Sequence, residues 1–246
     1  MNINNILFID IETAPQAEFL SELPENLQKL WLEKTNTLKI KMPEKFPQNL
    51  SDDEIFMKNA GVYSEFSKII CISVGCFYKK DNEQFFRVKS FAGADEKQLL
   101  SDFSAMLNKF MKTNEHLVCG HNIKEFDIPF ICRRLLINDL EIPKSINAAG
   151  KKPWETSFID TLELWRFGDY KNYTSLKLLS AVFNIPTPKD DIDGSQVAEV
   201  FYKEKNLDRI VQYCQKDVIA TARLFQKFNS IKMVEDEFLE IVMNVE

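Results

Sequence analysis

Near its N-terminus the chain lacks the basic start, uncharged apolar stretch and small-residue cleavage site of an export signal, because Asp10 and Glu12 interrupt the early apolar run. A cytoplasmic protein is expected. No segment reaches the roughly 20 apolar residues that span a bilayer, so no membrane partner is expected. The five cysteines (Cys71, Cys76, Cys119, Cys132, Cys214) are odd in number, with no CxxC pair and only His116 and His121 to complete a zinc site. They read as reduced, mostly buried thiols. A basic excess is also missing. The formal net charge of −6 excludes a protein that coats nucleic acid by broad phosphate neutralisation. It leaves room for an enzyme that grips one strand end through bound divalent cations, since a carboxylate-rich site itself lowers the charge.

What is present suffices for one decorated domain: 246 residues, 45% of them hydrophobic, can bury a sizeable core. Residues Asn5 to Thr13 (NILFIDIET) form an apolar run, rich in isoleucine, that reads as a central strand ending at Ala14-Pro15. Lys68 to Tyr78 and Gln84 to Phe91, separated by Lys79-Lys80-Asp81-Asn82, predict a hairpin. From Asp95 to Lys112 apolar residues recur at three and four, the period of an amphipathic helix. A strand at His116 to Gly120, a helix from about Glu125 to Leu136 and a strand at Ser157 to Thr161 follow. Helices are then expected at Ser175 to Phe183, Gly194 to Tyr202 and Leu207 to Phe228, with a C-terminal helix within 229–246 near Val234 to Met243. This order predicts a mixed α/β sheet covered on both faces. Residues 16–66 fit the pattern less well. They carry a helical pattern at Leu23 to Lys34, a Lys/Pro-rich loop at Lys39 to Pro47 and a capping box at Ser51 and Glu54, and they read as an insertion beside the site.

Three constellations could carry chemistry. Asp10 and Glu12 alternate onto one face of the first strand, where two buried like charges are unfavourable unless one is protonated or a cation lies between them. A strand-end pair of solubilising charges is the plain alternative. In Gly120-His121-Asn122-Ile123-Lys124-Glu125-Phe126-Asp127, a strand ends and a helix begins, with Asp127 in its first turn. Alone, Asp127 could merely complement the helix dipole, and Asn122 could be a turn residue. Tyr213 and Asp217 are four apart on one helix face, which could equally be a solvated face. Asp160 follows a strand and suits an N-cap. The acidic run Lys189 to Gly194 lacks the ligand frame of a calcium loop and reads as a capped polar loop.

Taken together, Asp10-Ile11-Glu12-Thr13, Asn122 with Phe126-Asp127, and Tyr213-x-x-x-Asp217 resemble the DEDD superfamily of 3′–5′ exonucleases. The resemblance is strongest to the proofreading exonuclease domain of family-B DNA polymerases and its stand-alone relatives, and runs from Asn5 to about Phe228. Relatives that use histidine place it five residues before the last aspartate, where this chain has Gln212, so the tyrosine (DEDDy) branch is implied. The resemblance implies a ribonuclease H-like mixed sheet flanked by helices, to which the pattern of residues 16–66 adds a helical insertion after the first strand. It also implies two Mg²⁺ or Mn²⁺ ions. Asp10, Glu12 and Asp217 would hold one, Asp10 with Asp127 nearby would hold the other, and Tyr213 would orient the attacking water. Asn122 and Phe126 match positions that contact terminal nucleotides, Phe126 being equally suited to core packing. Thr13 and Ala14 would offer backbone groups to the terminal 3′ hydroxyl.

The substrate expected from this is a single-stranded 3′ end, DNA favoured over RNA, with nucleoside 5′-monophosphates as products. An exoribonuclease and a catalytically inactive binding module remain as alternatives. A haloacid-dehalogenase-like phosphatase would need aspartate where Glu12 stands. No polymerase region follows residue 246 in this sequence, so free-standing action or recruitment by a polymerase or repair complex is expected, the recruiter being undetermined.

Overall fold

The computed structural model describes residues 2–47, 49–169, 173–186 and 192–242. Six strands form one sheet in the order β5-β4-β1-β2-β3-β6: β1 (Ile6–Pro15), β2 (Ser67–Lys80), β3 (Glu83–Ala92), β4 (Leu117–Gly120), β5 (Phe158–Asp160) and β6 (Leu239–Val242). The first three are antiparallel neighbours, while β4, β5 and β6 add in parallel. The hairpin between β2 and β3 closes on Asp81 and Asn82, at φ 51° and 65°. This two-residue left-handed turn matches the twist of its strands, and Asp and Asn tolerate it better than most side chains.

Helices cover both faces. On one side, α3 (Glu96–Phe110), N-capped by Asp95, and α4 (Asp127–Ile137) bury Leu99, Leu100, Phe103, Ile128 and Ile131 against Leu7, Ile9, Ile11 and Val74. On the other, α8 (Leu207–Phe228) lays Val218, Ala222 and Phe225 over Ile6, Phe8, Phe77 and Phe86. Phe8 centres this packing, with Phe77, Phe86 and Phe225 at ring-centroid distances of 5.6–5.7 Å. Such edge-to-face pairs add about 0.5–1.5 kcal/mol each beyond area burial. Gly75 permits the close approach, since a β-carbon there would lie 2.3 Å from Phe86 and 2.9 Å from Val218. The remaining helices are α5 (Thr161–Arg166), α6 (Leu176–Val182) and the short α7 (Val197–Glu199), which runs into a π-turn at Val200–Glu204.

Between β1 and β2 lie α1 (Glu25–Lys41) and α2 (Asp52–Asn59), the latter carrying the expected Ser51/Glu54 capping box. They enclose Trp31 with Phe56, Phe66 and Leu20 in a satellite core. The whole is a ribonuclease H-like mixed sheet flanked by helices, with a helical region after β1.

Several expected elements differ. The C-terminal segment is not a helix: a short 3-10 turn at Asp236–Phe238 leads into β6, which pairs with Phe86–Lys89 of β3. Its apolar residues satisfy both periodicities, and the open edge of β3 supplies hydrogen bonds that an isolated short helix would have to find alone. Met243 lies outside the described residues. β1 does end at Pro15, as expected, but its pairing is not regular up to that point. A register shift between Glu12 and Thr13 carries the strand on to Pro15, opposite Ser67. Helix α1 extends to Lys41, into the expected loop, and the helix expected from Gly194 begins only at Val197. Lys189, Asp190 and Asp191 of the acidic run lie outside the described residues. Asp193 caps its own turn, accepting from the Ser195 amide and hydroxyl.

Candidate active site

Strand β4 ends at Gly120, which leaves the second half of β1 without a neighbour on that side. Into this opening the sequence places its acids. The even positions of β1 face α8: Phe8 packs beneath that helix while Asp10 and Glu12, further along, reach the gap between β1 and the tyrosine-bearing turn of α8. Ile9 and Ile11 turn to the opposite core. Asp127 begins α4, is 4% exposed, and accepts the backbone N–H of Ile11 and its own. Tyr213 and Asp217 stand one turn apart on α8, close enough for the carboxylate to act on the phenol. All five line one cleft of about 420 Å³ together with Asn122 and Phe126.

The loop leading to α4 is held by Asp160, the last residue of β5. Its buried carboxylate accepts the amides of Asn122 (2.9 Å), Lys124 (3.1 Å) and Leu162 (2.9 Å). This fixes Asn122 at φ 65°, a left-handed conformation that asparagine tolerates. N-capping is therefore part of what Asp160 does, and aiming the Asn122–Phe126 loop is the rest. A β-carbon at Gly120 would sit 2.7 Å from Ile123, so glycine is needed where the loop folds back. Phe126 is half-buried against Phe130, ring centroids 5.3 Å apart, which gives it a packing role as well as a place in the cleft. Thr13 and Ala14 lie past the bulge and are not among the lining residues. Thr13 donates its hydroxyl to Gly61 of the helical region at 2.7 Å, and Ala14 is fully buried.

The electrostatics are those of an unresolved repulsion. Burial first, and then the charges of Asp217 and Asp127, push Asp10 well above the usual carboxylate range. Burial and Asp10 do the same to Glu12. Burial, with Asp160 and Asp217 adding to it, raises Asp127 to about 7. Burial and then the charge of Asp217 drive the Tyr213 phenol above its ordinary value, so it stays protonated. Asp10 Oδ2 is shielded from solvent with no hydrogen-bond partner. Such an atom is unfavourable unless the carboxyl is protonated or a cation lies against it, and the carboxylate oxygens of Asp10, Glu12, Asp127 and Asp217 suit a hard divalent ion. Asp10 and Glu12 offer ligand atoms within 4.8 Å of each other, which fits a divalent cation.

Both histidines have hydrogen-bond partners, His121 at the rim of the cleft. His121 Nε2 donates to the Thr174 carbonyl at 2.9 Å, and Nδ1 lies 2.9 Å from the Thr161 hydroxyl, which also donates to the Gly120 carbonyl at 3.2 Å. His116 bonds to Thr113 instead. The remaining wall was not legible in the sequence: Tyr173, Ser175, Lys177 and Ser180, at the start of α6, and Ile192 with Gly194. Tyr173 is 63% exposed, and its phenol is raised by burial and by the charges of Asp127, Asp160 and Asp10. No motif marks this stretch, and only the chain crossing from α5 to α6 brings it to the cleft. All five cysteines are free thiols, as expected, and no helix among the described residues is long and apolar enough to cross a membrane.

Fold and cleft together define the class, a ribonuclease H-like α/β protein with buried acids gathered at the end of its central strand. The chain belongs to the family described as "Predicted 3'-5' exonuclease related to the exonuclease domain of PolB", whose model matches residues 62–244. Asp127, Tyr213 and Asp217 lie within the match; Asp10 and Glu12 precede it. The chain is also 25% identical over 213 residues to "DNA polymerase 120R" of Invertebrate iridescent virus 3, covering 71% of this chain and 17% of that protein. It thus spans less than a fifth of the length of this relative. The family description is of a predicted 3′–5′ exonuclease, an activity whose substrate class is nucleic acid.

Proposed function

We propose that the chain is a DEDDy-type 3′–5′ exonuclease that hydrolyses single-stranded 3′ ends, DNA in preference to RNA, and releases nucleoside 5′-monophosphates. The observation that carries this reading is the convergence of Asp10, Glu12, Asp127 and Asp217 on one cleft, with Asp10 Oδ2 shielded and unpartnered. Asp10, Glu12 and Asp217 would hold one Mg²⁺ or Mn²⁺, and Asp10 with Asp127 a second. When bound, such a pair activates water and stabilises the leaving 3′ oxygen.

The chain's own residues do the rest. Tyr213, held neutral beside Asp217, is a poor base and a good orienter; its hydroxyl positions the nucleophilic water in line with the scissile phosphorus. Lys177, the cation among the described lining residues, neutralises the phosphate of the scissile link. Phe126 and Asn122 receive the terminal nucleotide, the ring by stacking, worth about 1–3 kcal/mol per base, the amide by hydrogen bonding. A duplex end must first fray, which costs a few kcal/mol, so single strands are favoured. The preference for DNA rests on the polymerase named above.

Incubation of 5′-labelled oligonucleotides, DNA or RNA, single-stranded or duplex, with Mg²⁺ or Mn²⁺ tests this. The expected result is a ladder shortening from the 3′ end, abolished by chelator and blocked by a 3′-phosphate that crowds the hydroxyl subsite. Cutting of circular single strands, or binding with no ladder in either metal, would overturn it.

A further inference from the structure

We infer that the thiol of Cys214, with the carboxylates of Asp10 and Glu12 and the neighbouring thiol of Cys71, forms a site for a thiophilic divalent cation, Zn²⁺ or Cd²⁺, that competes with the hard ions of the nuclease site and inhibits it. The inhibition rests on the nuclease reading given above; the binding does not.

Cys214 follows Tyr213 on α8 but turns inward, toward β1, where its Sγ donates to the carbonyl of Asp10 at 3.4 Å. One ligand atom each from Asp10, Glu12 and Cys214 lie within 4.8 Å of one another. Cys71 is the residue opposite Glu12 in the β1–β2 register, so the two side chains share a sheet face; its thiol pairs with the Ser73 hydroxyl at 3.7 Å and lies near enough to Cys214 to act on it electrostatically. One thiol and two carboxylates thus meet beneath the cleft, with the Cys71 thiol beside them. Both acids are poised for a cation: Glu12, 7% exposed, has no hydrogen-bond or ion-pair partner among the described residues, and Asp10 Oδ2 has none either.

The donor set decides which cation. Mg²⁺ demands octahedral oxygen and cannot use a thiol. Zn²⁺ and its softer congener Cd²⁺ take sulfur and carboxylate oxygen together in four-coordinate sites. With bonds of about 2.0–2.3 Å, ligand atoms around such an ion stand roughly 3.5 Å apart, so side-chain movements on the order of 1 Å close the site. Coordination releases the thiol proton to solvent. Asp10 and Glu12 line the cleft, which gives the ion its path.

The probe is Cd²⁺ added to the full chain, read by the ultraviolet charge-transfer absorption of a cadmium–thiolate bond and by calorimetry. The expected result is a band that saturates near one equivalent, persists in Cys132→Ser, and falls as Mg²⁺ is raised, because the carboxylates are shared. Cys214→Ser should lose the band and weaken Cd²⁺ binding by at least the 10- to 100-fold seen when even an outer-shell partner is lost. Zn²⁺ at the same ratio should stop the ladder in excess Mg²⁺. No band in the wild type, a band unchanged in Cys214→Ser, or a band indifferent to Mg²⁺ would overturn the site. The Mg²⁺ competition uses the unmodified chain, so the outcome stands even if the serine variant does not fold. A Cd²⁺ band without any nuclease ladder would leave the binding site standing and sink the nuclease reading alone.

Discussion

Glu12 and Glu96 are each 7% exposed, yet their surroundings are opposite. Glu96, the first residue of α3, accepts from Arg134 Nε at 2.8 Å and Nη2 at 2.5 Å, from Asn138 at 3.0 Å and from the Ile69 amide at 2.7 Å. The same Arg134 donates to the Ser64 carbonyl at 2.8 Å. Four donors surround one carboxylate, and together they lock α3, α4, the start of β2 and the end of the helical region. Glu12 has no such donor among the described residues and lies beside Asp10, Cys214 and the Tyr213 phenol. Burial of a charge is unfavourable in either place, but in the first the chain supplies the compensation and in the second it leaves that to something from outside. An acid that is buried and satisfied serves stability; one that is buried and unsatisfied beside others of its kind marks function.

The comparison can be broken most severely at Asp10. Asp10→Ala is expected to lower the rate of hydrolysis by more than about a thousand-fold, while the thermal midpoint in chelator holds or rises, because one of several repelling carboxylates is gone. Retained turnover, or marked destabilisation, would put Asp10 in the same class as Glu96.

The converse change is Glu96→Ala. Leaving Arg134 buried without its partner should cost about 3–5 kcal/mol of folding stability, measured by denaturant titration, with the rate per folded molecule kept. A stable but inactive Glu96→Ala protein would mean that the clamp acts on the site directly.

Tyr213→Phe sharpens the functional half. Removing only the hydroxyl should lower kcat by about 10- to 1000-fold with KM little altered. Steady-state kinetics on a labelled oligonucleotide decide it, and an unchanged kcat would reduce Tyr213 to packing.

The smallest effect is the pH dependence of the metal-free protein. An unfolded aspartate titrates near 3.9, whereas burial lifts folded Asp127 to about 7. Between those values the folded state holds more protons than the unfolded one, so stability falls as pH rises through the window. Asp10 and Glu12, raised in the same direction, deepen the fall. In chelator the melting temperature should be higher near pH 5.5 than near pH 7.5, and Mg²⁺ should shrink or reverse the difference. A midpoint that climbs with pH in chelator would mean that these acids are compensated after all.

Much of this was readable before any coordinates. Alternation along NILFIDIET placed Asp10 and Glu12 on one face, the three-and-four period gave α3 and α8 nearly to their ends, and the i,i+4 relation joined Tyr213 to Asp217. The C-terminal segment was misjudged because Val234, Phe238, Leu239, Ile241 and Val242 fit a helix face as well as a strand. The choice was made by the free edge of β3, which lies well over a hundred residues away. What Asp160 does beyond capping was not legible because its bonds to Asn122 and Lys124 cross some forty residues of sequence.

The sequence by itself determined the sheet's central strand, the amphipathic helices that cover it and the four acids with their tyrosine, because these depend on side-chain period and residue type within a dozen neighbours. Only the tertiary structure decided that β4 stops short and opens a cleft, that Tyr173 and Lys177 wall it, and that Cys214 and Cys71 lie under the acids while Arg134 satisfies Glu96. Each of these is a meeting of distant segments, governed by how strands and helices pack, and no local pattern encodes which distant partner a buried group will find.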